Sequence, residues 1–309
     1  MMYGILGSGF GLYGYLPAVA ILSSKPVLLP LRYRSIIASR SDIYHLLDNI
    51  EWRSDEDGLL EDASNIVIAK RPQDQLELVS KCASFPRIDG IILEKPLANS
   101  PELSQRTFDN LIVSGKKFRI SYLFCLTKWA ELLLSILSSK NNLTAISIEW
   151  KFLAHHYVND LKTWKRFHYF GGGALRFYGI HLIALLAEIG YQDVNVSEVI
   201  GTTPGEVESW KSEFSGNSLP RCNVLVDSRS CDRRFVIKLH AGNQSFILMD
   251  SVDPFIDSTT DGELNALDRR VTLVSKLCKS LHDDNENPYS WYAQCNSLWN
   301  AVEKRAGIA

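Results

Sequence analysis

Gly7-Ser8-Gly9-Phe10-Gly11-Leu12 follows the apolar run 3–6 and precedes a second apolar stretch, which is the strand–turn–helix setting that a dinucleotide-binding turn requires. Gly7 permits the tight turn, Gly9 lets the backbone approach a pyrophosphate, and the start of the following helix presents N–H groups to its negative charge. Ser8, Phe10 and Gly11 complete the expected contact set. The third motif position is Leu12 rather than Gly or Ala, a departure expected to open the strand–helix packing slightly. Pro17 falls where the helix should continue, and an interior proline costs about 3 kcal/mol relative to alanine. A kinked first helix is the expectation. Glycines in a surface turn have the same letters without any ligand, so the rest of the chain has to supply the context that distinguishes them.

Apolar runs alternate with amphipathic stretches through the first third of the sequence, the rhythm of βαβ units and a parallel sheet. Residues 3–6, 36–39, 66–69, 91–93 and 118–122 read as strands, and 41–47, 73–82 and 101–113 as helices, the last with Ser100 as N-cap and Pro101 at the first helical position. The rhythm changes near residue 125. A helix over 128–138 is followed by a half-exposed strand over 144–151, and the triplet Gly171-Gly172-Gly173 opens an apolar helical stretch over 174–189. Strand candidates then come in series (195–202, 222–227, 235–240, 245–249), as in an antiparallel sheet with one covered face. The stretch 215–220 reads as linker-like, and 289–304 as a last helix that folds back between the domains. The fold class is therefore α/β plus α+β: a Rossmann domain over 1–122, and an α+β domain with an open, mostly antiparallel sheet over 123–309.

At 309 residues, 46% hydrophobic and 22% charged, the chain has the make-up of a globular protein with room for two cores. A formal net charge of −2 argues against nucleic acid and anionic membrane as partners. The six cysteines show no CxxC pair or metal-ligand spacing, so neither a zinc site nor a disulfide framework is expected. The glycine-rich opening reads as strand and turn rather than as a leader, and no stretch reaches the roughly 18 apolar residues of a membrane span. A cytoplasmic protein is the expectation.

Ser39-Arg40-Ser41 follows the second strand candidate. A carboxylate there would suit the ribose hydroxyls of NAD, whereas an arginine with small hydroxyl residues suits the additional phosphate of NADP. NADP(H) is favoured on this ground, with NAD(H) as the alternative.

Four stretches in order resemble the glucose-fructose oxidoreductase / inositol dehydrogenase / MocA family. The opening GSGFGLYGYLPAV resembles the family's GxGFGxxxxLPA. Asn65-Ile66-Val67-Ile68-Ala69-Lys70-Arg71-Pro72 is similar to its VxIATPP strand end, which implies cofactor contacts for Ala69 and Pro72, although Lys70 and Arg71 depart from the pattern. Glu94-Lys95-Pro96 matches its EKP signature. Thr163-Trp164-Lys165 followed by Gly171-Gly172-Gly173-Ala174-Leu175-Arg176-Phe177-Tyr178-Gly179-Ile180-His181-Leu182 resembles its TWR and GGGxLxDxGxH segments.

The resemblance implies an oxidoreductase moving a hydride to or from a sugar, cyclitol or nucleotide-sugar carbon, and an oligomer, a homodimer or homotetramer, formed through the C-terminal sheet. It makes Lys95, with Glu94 beside the cofactor, the group that steadies charge on the substrate oxygen. His181 becomes the acid or base, a role that suits a side chain with an ordinary pKa of about 6.5. Trp164 is implied as a substrate contact; Lys165 and Tyr169, basic and aromatic residues just before the glycine triplet, suit a carboxylated or nucleotide-linked sugar, and Phe177 is a candidate contact for an apolar group of the substrate. Where the family commonly has an aspartate, four residues before the histidine, this chain has Phe177, and Ala184 replaces another. Two readings follow: an enzyme whose substrate packs an apolar group on Phe177, or a catalytically silent sensor or regulator that binds the dinucleotide. A lyase or glycosidase using bound NAD transiently is less attractive given Arg40. His155 and His156 are adjacent without a carboxylate cluster and do not form a metal motif.

Overall fold

The computed structural model describes residues 1–139, 142–256, 267–283 and 288–308. It divides into two compact units: the first comprises Met1–Ala98, Arg106–Leu123 and the described part of Ser258–Asn287, and the second comprises Asn99–Gln105 with the described parts of Phe124–Asp257 and Pro288–Ala309.

In the first unit, β1 (Tyr3–Leu6), β2 (Val27–Pro30), β3 (Ile50–Arg53), β4 (Asn65–Ile68), β5 (Gly90–Leu93) and β6 (Lys117–Ile120) make a parallel sheet in the order β3-β2-β1-β4-β5-β6. That order reverses direction at β1, so the carboxyl ends of β1 and β4 border the crevice where ligands of such sheets bind. Every residue of β1, β2, β4 and β5 is buried, as strands covered on both faces require. The intervening helices are α1 (Leu16–Leu22), α2 (Arg34–Ala38), α3 (Glu56–Asp62), α4 (Pro72–Ala83) and α5 (Pro101–Ser114), the last with residues 101–105 assigned to the second unit. The Ser100 hydroxyl accepts the Leu103 amide at 3.3 Å, the N-cap expected from the sequence.

The first helix solves its proline problem locally. Gly11–Tyr15 winds as a π-helical turn, and Pro17 lies in the first turn of the α-helix that follows. A wide turn ahead of the proline accommodates the backbone bond that the missing N–H cannot make. Leu12 is buried, and the close helix–strand approach falls to Gly11: a Cβ there would lie 3.2 Å from Ile5 Cγ2 and 3.3 Å from Ala69 Cβ.

The structure corrects one strand of the sequence reading. Residues 36–39 are not a strand; Ile36 and Ile37 lie in α2, one exposed and one buried, and the second strand is Val27–Pro30. A short apolar run is compatible with either state, and the register with β1 and β3 decides it. In place of the expected helix 41–47 the structure has a 3-10 turn over Tyr44–Asn49.

The second unit contains α6 (Lys128–Ser138), β7 (Ala145–Leu153), the short α7 (His155–Val158), α8 (Ile180–Ile189), β8 (Asp193–Ile200), β9 (Ser209–Ser215), β10 (Arg221–Asp227), β11 (Arg229–Ala241), β12 (Gln244–Ser251) and α10 (Tyr289–Ala306); α9 (Val271–Ser280) belongs to the first unit, where it packs on α1. The strands lie in the order β12-β11-β7-β10-β9-β8, antiparallel except for the parallel pair β7/β10. Alternate residues such as Ile146, Ile148 and Trp150 on β7, and Cys222, Val224 and Val226 on β10, are buried, the signature of a sheet with one covered face. Helix α8 is buried along Ile180–Ala187 and packs on α10, which also packs on β8. Residues 215–220, expected as a linker, join β9 to its antiparallel neighbour β10.

Candidate functional site

In the first unit the glycine turn joins β1 to the helix start. Gly7 has φ +143°, and a Cβ added to it would overlap the Ala69 carbonyl oxygen, so only glycine lets the turn lie against the end of β4. Gly9 is the opposite case. It is exposed, like Ser8, and a Cβ there would meet nothing within 4 Å. A pyrophosphate can therefore approach this backbone, and the turn fits a dinucleotide on that observation.

Glu94 and Lys95 follow directly after β5, with the Glu94 amide bonded to the Ile68 carbonyl at 2.9 Å, so the loop leaves the sheet beside the end of β4. The fully buried Gln75 of α4 holds it from beneath, its Nε2 donating to the carbonyls of Glu94 at 2.8 Å and Pro96 at 2.9 Å. The buried Tyr15 hydroxyl donates to Glu94 Oε1 at 2.9 Å. Burial raises the Glu94 pKa, and the Lys95 cation and the Tyr15 hydrogen bond oppose that rise. The Lys95–Pro96 bond is cis. No sequence motif marks Tyr15 or Gln75; Tyr15 is carried by the π-helical turn of the first helix and Gln75 by α4.

Ala69 and Pro72 flank the β4 end, with Pro72 opening α4. Arg40, expected just after the second strand, instead follows α2. Its guanidinium pairs with Asp42 (Nε–Oδ1 3.0 Å) and lies 5.1 Å from the Tyr13 ring centroid, while the Ser39 hydroxyl donates to the Ile36 carbonyl at 2.9 Å, in the loop that also holds Ser41. The basic residue that follows the observed second strand is Arg32. Arg270 stacks on Phe10 at 4.1 Å and pairs with Asp268 at 2.7 Å.

In the second unit Gly172 brings two sequence motifs together. A Cβ at Gly172 would overlap the Trp164 carbonyl oxygen, so the triplet and the Trp164–Arg166 turn touch backbone to backbone. Phe177 lies edge-on to Trp164, centroids 5.3 Å apart, with Lys165 Nζ 5.3 Å from its own ring centroid. Tyr178, also unanticipated, joins Phe177 to Trp150, Phe152 and His156. The position that resembles an aspartate site is thus part of an aromatic cluster with one ammonium over it. Tyr169 is elsewhere, exposed against Phe167 and Phe170.

Ala174–Gly179 is a second π-helical turn, leading into α8, and His181 is the second residue of that helix. The imidazole is buried, stacked on Phe124 at 4.8 Å with an interplanar angle of 23°, and edge-on to Phe255 at 6.3 Å. The turn is anchored by Arg176. Its Nε and Nη2 each donate to the buried Glu303 carboxylate at 2.7 Å, and Nη1 donates to the His168 carbonyl at 2.8 Å. Trp299 Nε1 adds a bond of 2.6 Å to the same carboxylate. Among the described residues no group of three or more His, Cys, Asp or Glu side chains could hold a metal ion, and no helix is long and apolar enough to cross a membrane.

No protein-family model and no curated protein matches the chain. Solved structures do. The WlbA dehydrogenase of Bordetella pertussis, solved in complex with NADH and UDP-GlcNAcA, aligns over 99% of this chain and 96% of its own, with 12% identity and a TM-score of 0.77. The apo scyllo-inositol dehydrogenase of Lactobacillus casei aligns over 99% and 96%, with 12% identity and a TM-score of 0.70. A super-repressor mutant of Gal80p from Saccharomyces cerevisiae aligns over 99% and 94%, with 14% identity and a TM-score of 0.74. The chain therefore has the two-domain fold of the glucose-fructose oxidoreductase / inositol dehydrogenase / MocA-type dehydrogenases.

Proposed function

We propose that this chain is a nicotinamide-dinucleotide-dependent oxidoreductase acting on a sugar, cyclitol or nucleotide-sugar carbon. One observation carries the reading: Glu94-Lys95-Pro96 leaves β5 pinned beside β4, whose end also receives Gly7, so a lysine is held near an open glycine turn suited to a pyrophosphate. The solved structures with NADH and with UDP-GlcNAcA support the cofactor and substrate classes. When bound, the dinucleotide supplies or accepts the hydride. Gly7, Ser8, Gly9, Phe10 and Gly11 hold its phosphates, with Ala69 and Pro72 alongside. His181 takes the proton from the reacting hydroxyl, or returns it in the reverse direction. Lys95 offsets the charge on that oxygen. Trp164, Lys165 and Phe177 offer the substrate an apolar face with one cation.

NADP(H) is the preferred form in this reading, with NAD(H) as the alternative. The supporting residue is Arg32, which follows the second strand at a position that suits a phosphate once its bond to Glu56 is released. A cytoplasmic location, and a homodimer or homotetramer joined through the second sheet, belong to the same proposal; Phe246 and Ile247 of β12 are 53% and 60% exposed.

Lys95→Ala and His181→Ala are each expected to slow turnover at least about tenfold while dinucleotide binding persists. Full activity in both variants ends the proposal. Phe177 favours a second reading, a dinucleotide-binding regulator, and the fold shared with Gal80p supports it. Purified chain that binds the dinucleotide but turns over no polyol or carbonyl in a broad panel decides for the regulator.

A further inference from the structure

Three charged side chains meet at the carboxyl edge of the first sheet. Arg32 lies two residues beyond β2 and Lys70 two residues beyond β4, the strands on either side of β1 and its glycine turn. Glu56 is the first residue of α3, which packs on β1, β2 and β3. Its Oε1 accepts from Lys70 Nζ at 2.8 Å and also from Arg32 Nη2. One carboxylate oxygen thus serves two cations that the topology sends from opposite sides of the turn. The neighbouring charges are engaged otherwise: Asp57 pairs with Lys81, and Arg53 pairs with Glu51 and Asp62.

Two cations sharing a single carboxylate retain excess positive charge, and the group is not sealed away, since the Arg32, Lys70 and Glu56 side chains are 52%, 25% and 21% exposed. A phosphomonoester, with three terminal oxygens and nearly two negative charges, suits an arginine–lysine pair better than one carboxylate does. A bare ribose hydroxyl brings no charge and leaves the internal pairing in place. Burial raises the Glu56 pKa, but the bonds from Lys70 and Arg32 outweigh it and hold the carboxyl below its usual range. Glu56 is therefore an anion at neutral pH that already engages both cations.

We propose that Glu56 is an internal stand-in for the 2′-phosphate of NADP and sets the choice between NADP and NAD by competing for Arg32 and Lys70. This rests on the proposed dinucleotide function. Replacing Glu56 removes both the competitor and a repulsive charge, so it favours the phosphorylated dinucleotide selectively.

The test is equilibrium binding of NADP+ and NAD+ to the purified full-length chain, wild type against Glu56→Gln and Glu56→Ala, with circular dichroism and thermal melting reporting the fold. Glu56→Gln is expected to tighten NADP+ about tenfold and to leave NAD+ within about threefold, whereas Arg32→Ala and Lys70→Ala weaken NADP+ selectively. The Glu56→Ala variant repeats the first measurement if the glutamine variant folds poorly. An unchanged NADP+:NAD+ ratio in folded Glu56 variants overturns the inference while the dinucleotide reading stands. Wild-type protein that binds neither nucleotide overturns both.

Discussion

His156 offers a quantitative test of how the second unit is held together. It lies in α7 with its ring buried 4.6 Å from that of Tyr157 and 6.4 Å from that of Tyr178, and its Nε2 has no hydrogen-bond partner among the described residues. Burial first, then the nearby cations Lys165 and Arg166, push its pKa down from 6.5 to about 4. A histidine whose folded-state pKa is depressed contributes stability that is complete above its unfolded value and lost as pH falls, because the unfolded chain takes up the proton first. The window therefore runs from about 6.5 down to about 4. With about 1.4 kcal/mol for each unit of separation, the loss approaches about 3 kcal/mol at the lower end, and is about 2 kcal/mol at pH ~5. His156→Phe removes the titration. Urea unfolding followed by tryptophan fluorescence, at pH ~8, ~6.5 and ~5, should show the wild type losing about 2 kcal/mol more than the variant between the first and last. Paired carboxylates such as Glu208, held below the usual range by hydrogen bonds from Thr202 and Arg229, and Asp268, held there by Arg270, titrate in both proteins and cancel in the difference. Parallel curves, within about 0.5 kcal/mol over that range, would refute the buried neutral imidazole.

Glu303→Ala should cost about 3–5 kcal/mol, since it strands the buried Arg176 guanidinium and the Trp299 N–H, whereas Arg176→Met with Glu303→Leu should regain much of that loss. Urea unfolding of the single and double variants checks this, and a loss below about 1 kcal/mol for the single variant contradicts it. Gly7→Ala should lose at least about 2 kcal/mol, because it combines a left-handed φ with overlap on Ala69, while Gly9→Ala should stay within about 1 kcal/mol of wild type yet weaken dinucleotide binding. Thermal melting read alongside nucleotide titration separates the two effects, and equal melting losses would show that the turn is not built as described.

The parts of the fold that were legible in the amino-acid sequence are those whose physics is local. Buried apolar runs mark β1, β4 and β5, a serine–proline pair marks the start of α5, and Gly7 marks the one place in the first turn whose backbone no Cβ could follow. The spacing of Val271, Val274, Cys278 and Leu281, all buried, would have marked α9 as well. The second strand was not legible. Residues 27–30 and 36–39 are both short and apolar, and only pairing with β1 and β3 separates them. That single displacement moved the residue beyond the second strand from Arg40 to Arg32.

The candidate site divides along the same line. Lys95 and His181 could be singled out from motifs, because each motif is a contiguous run whose chemistry is written in neighbouring residues. Tertiary structure alone decided that Gln75 pins the lysine loop, that Phe124 stacks on the histidine, that Arg176 finds Glu303 across 127 positions, and that Glu56 bridges Arg32 and Lys70. Those pairings join residues remote along the chain, and their strength comes from burial and geometry that exist only once the sheets have assembled.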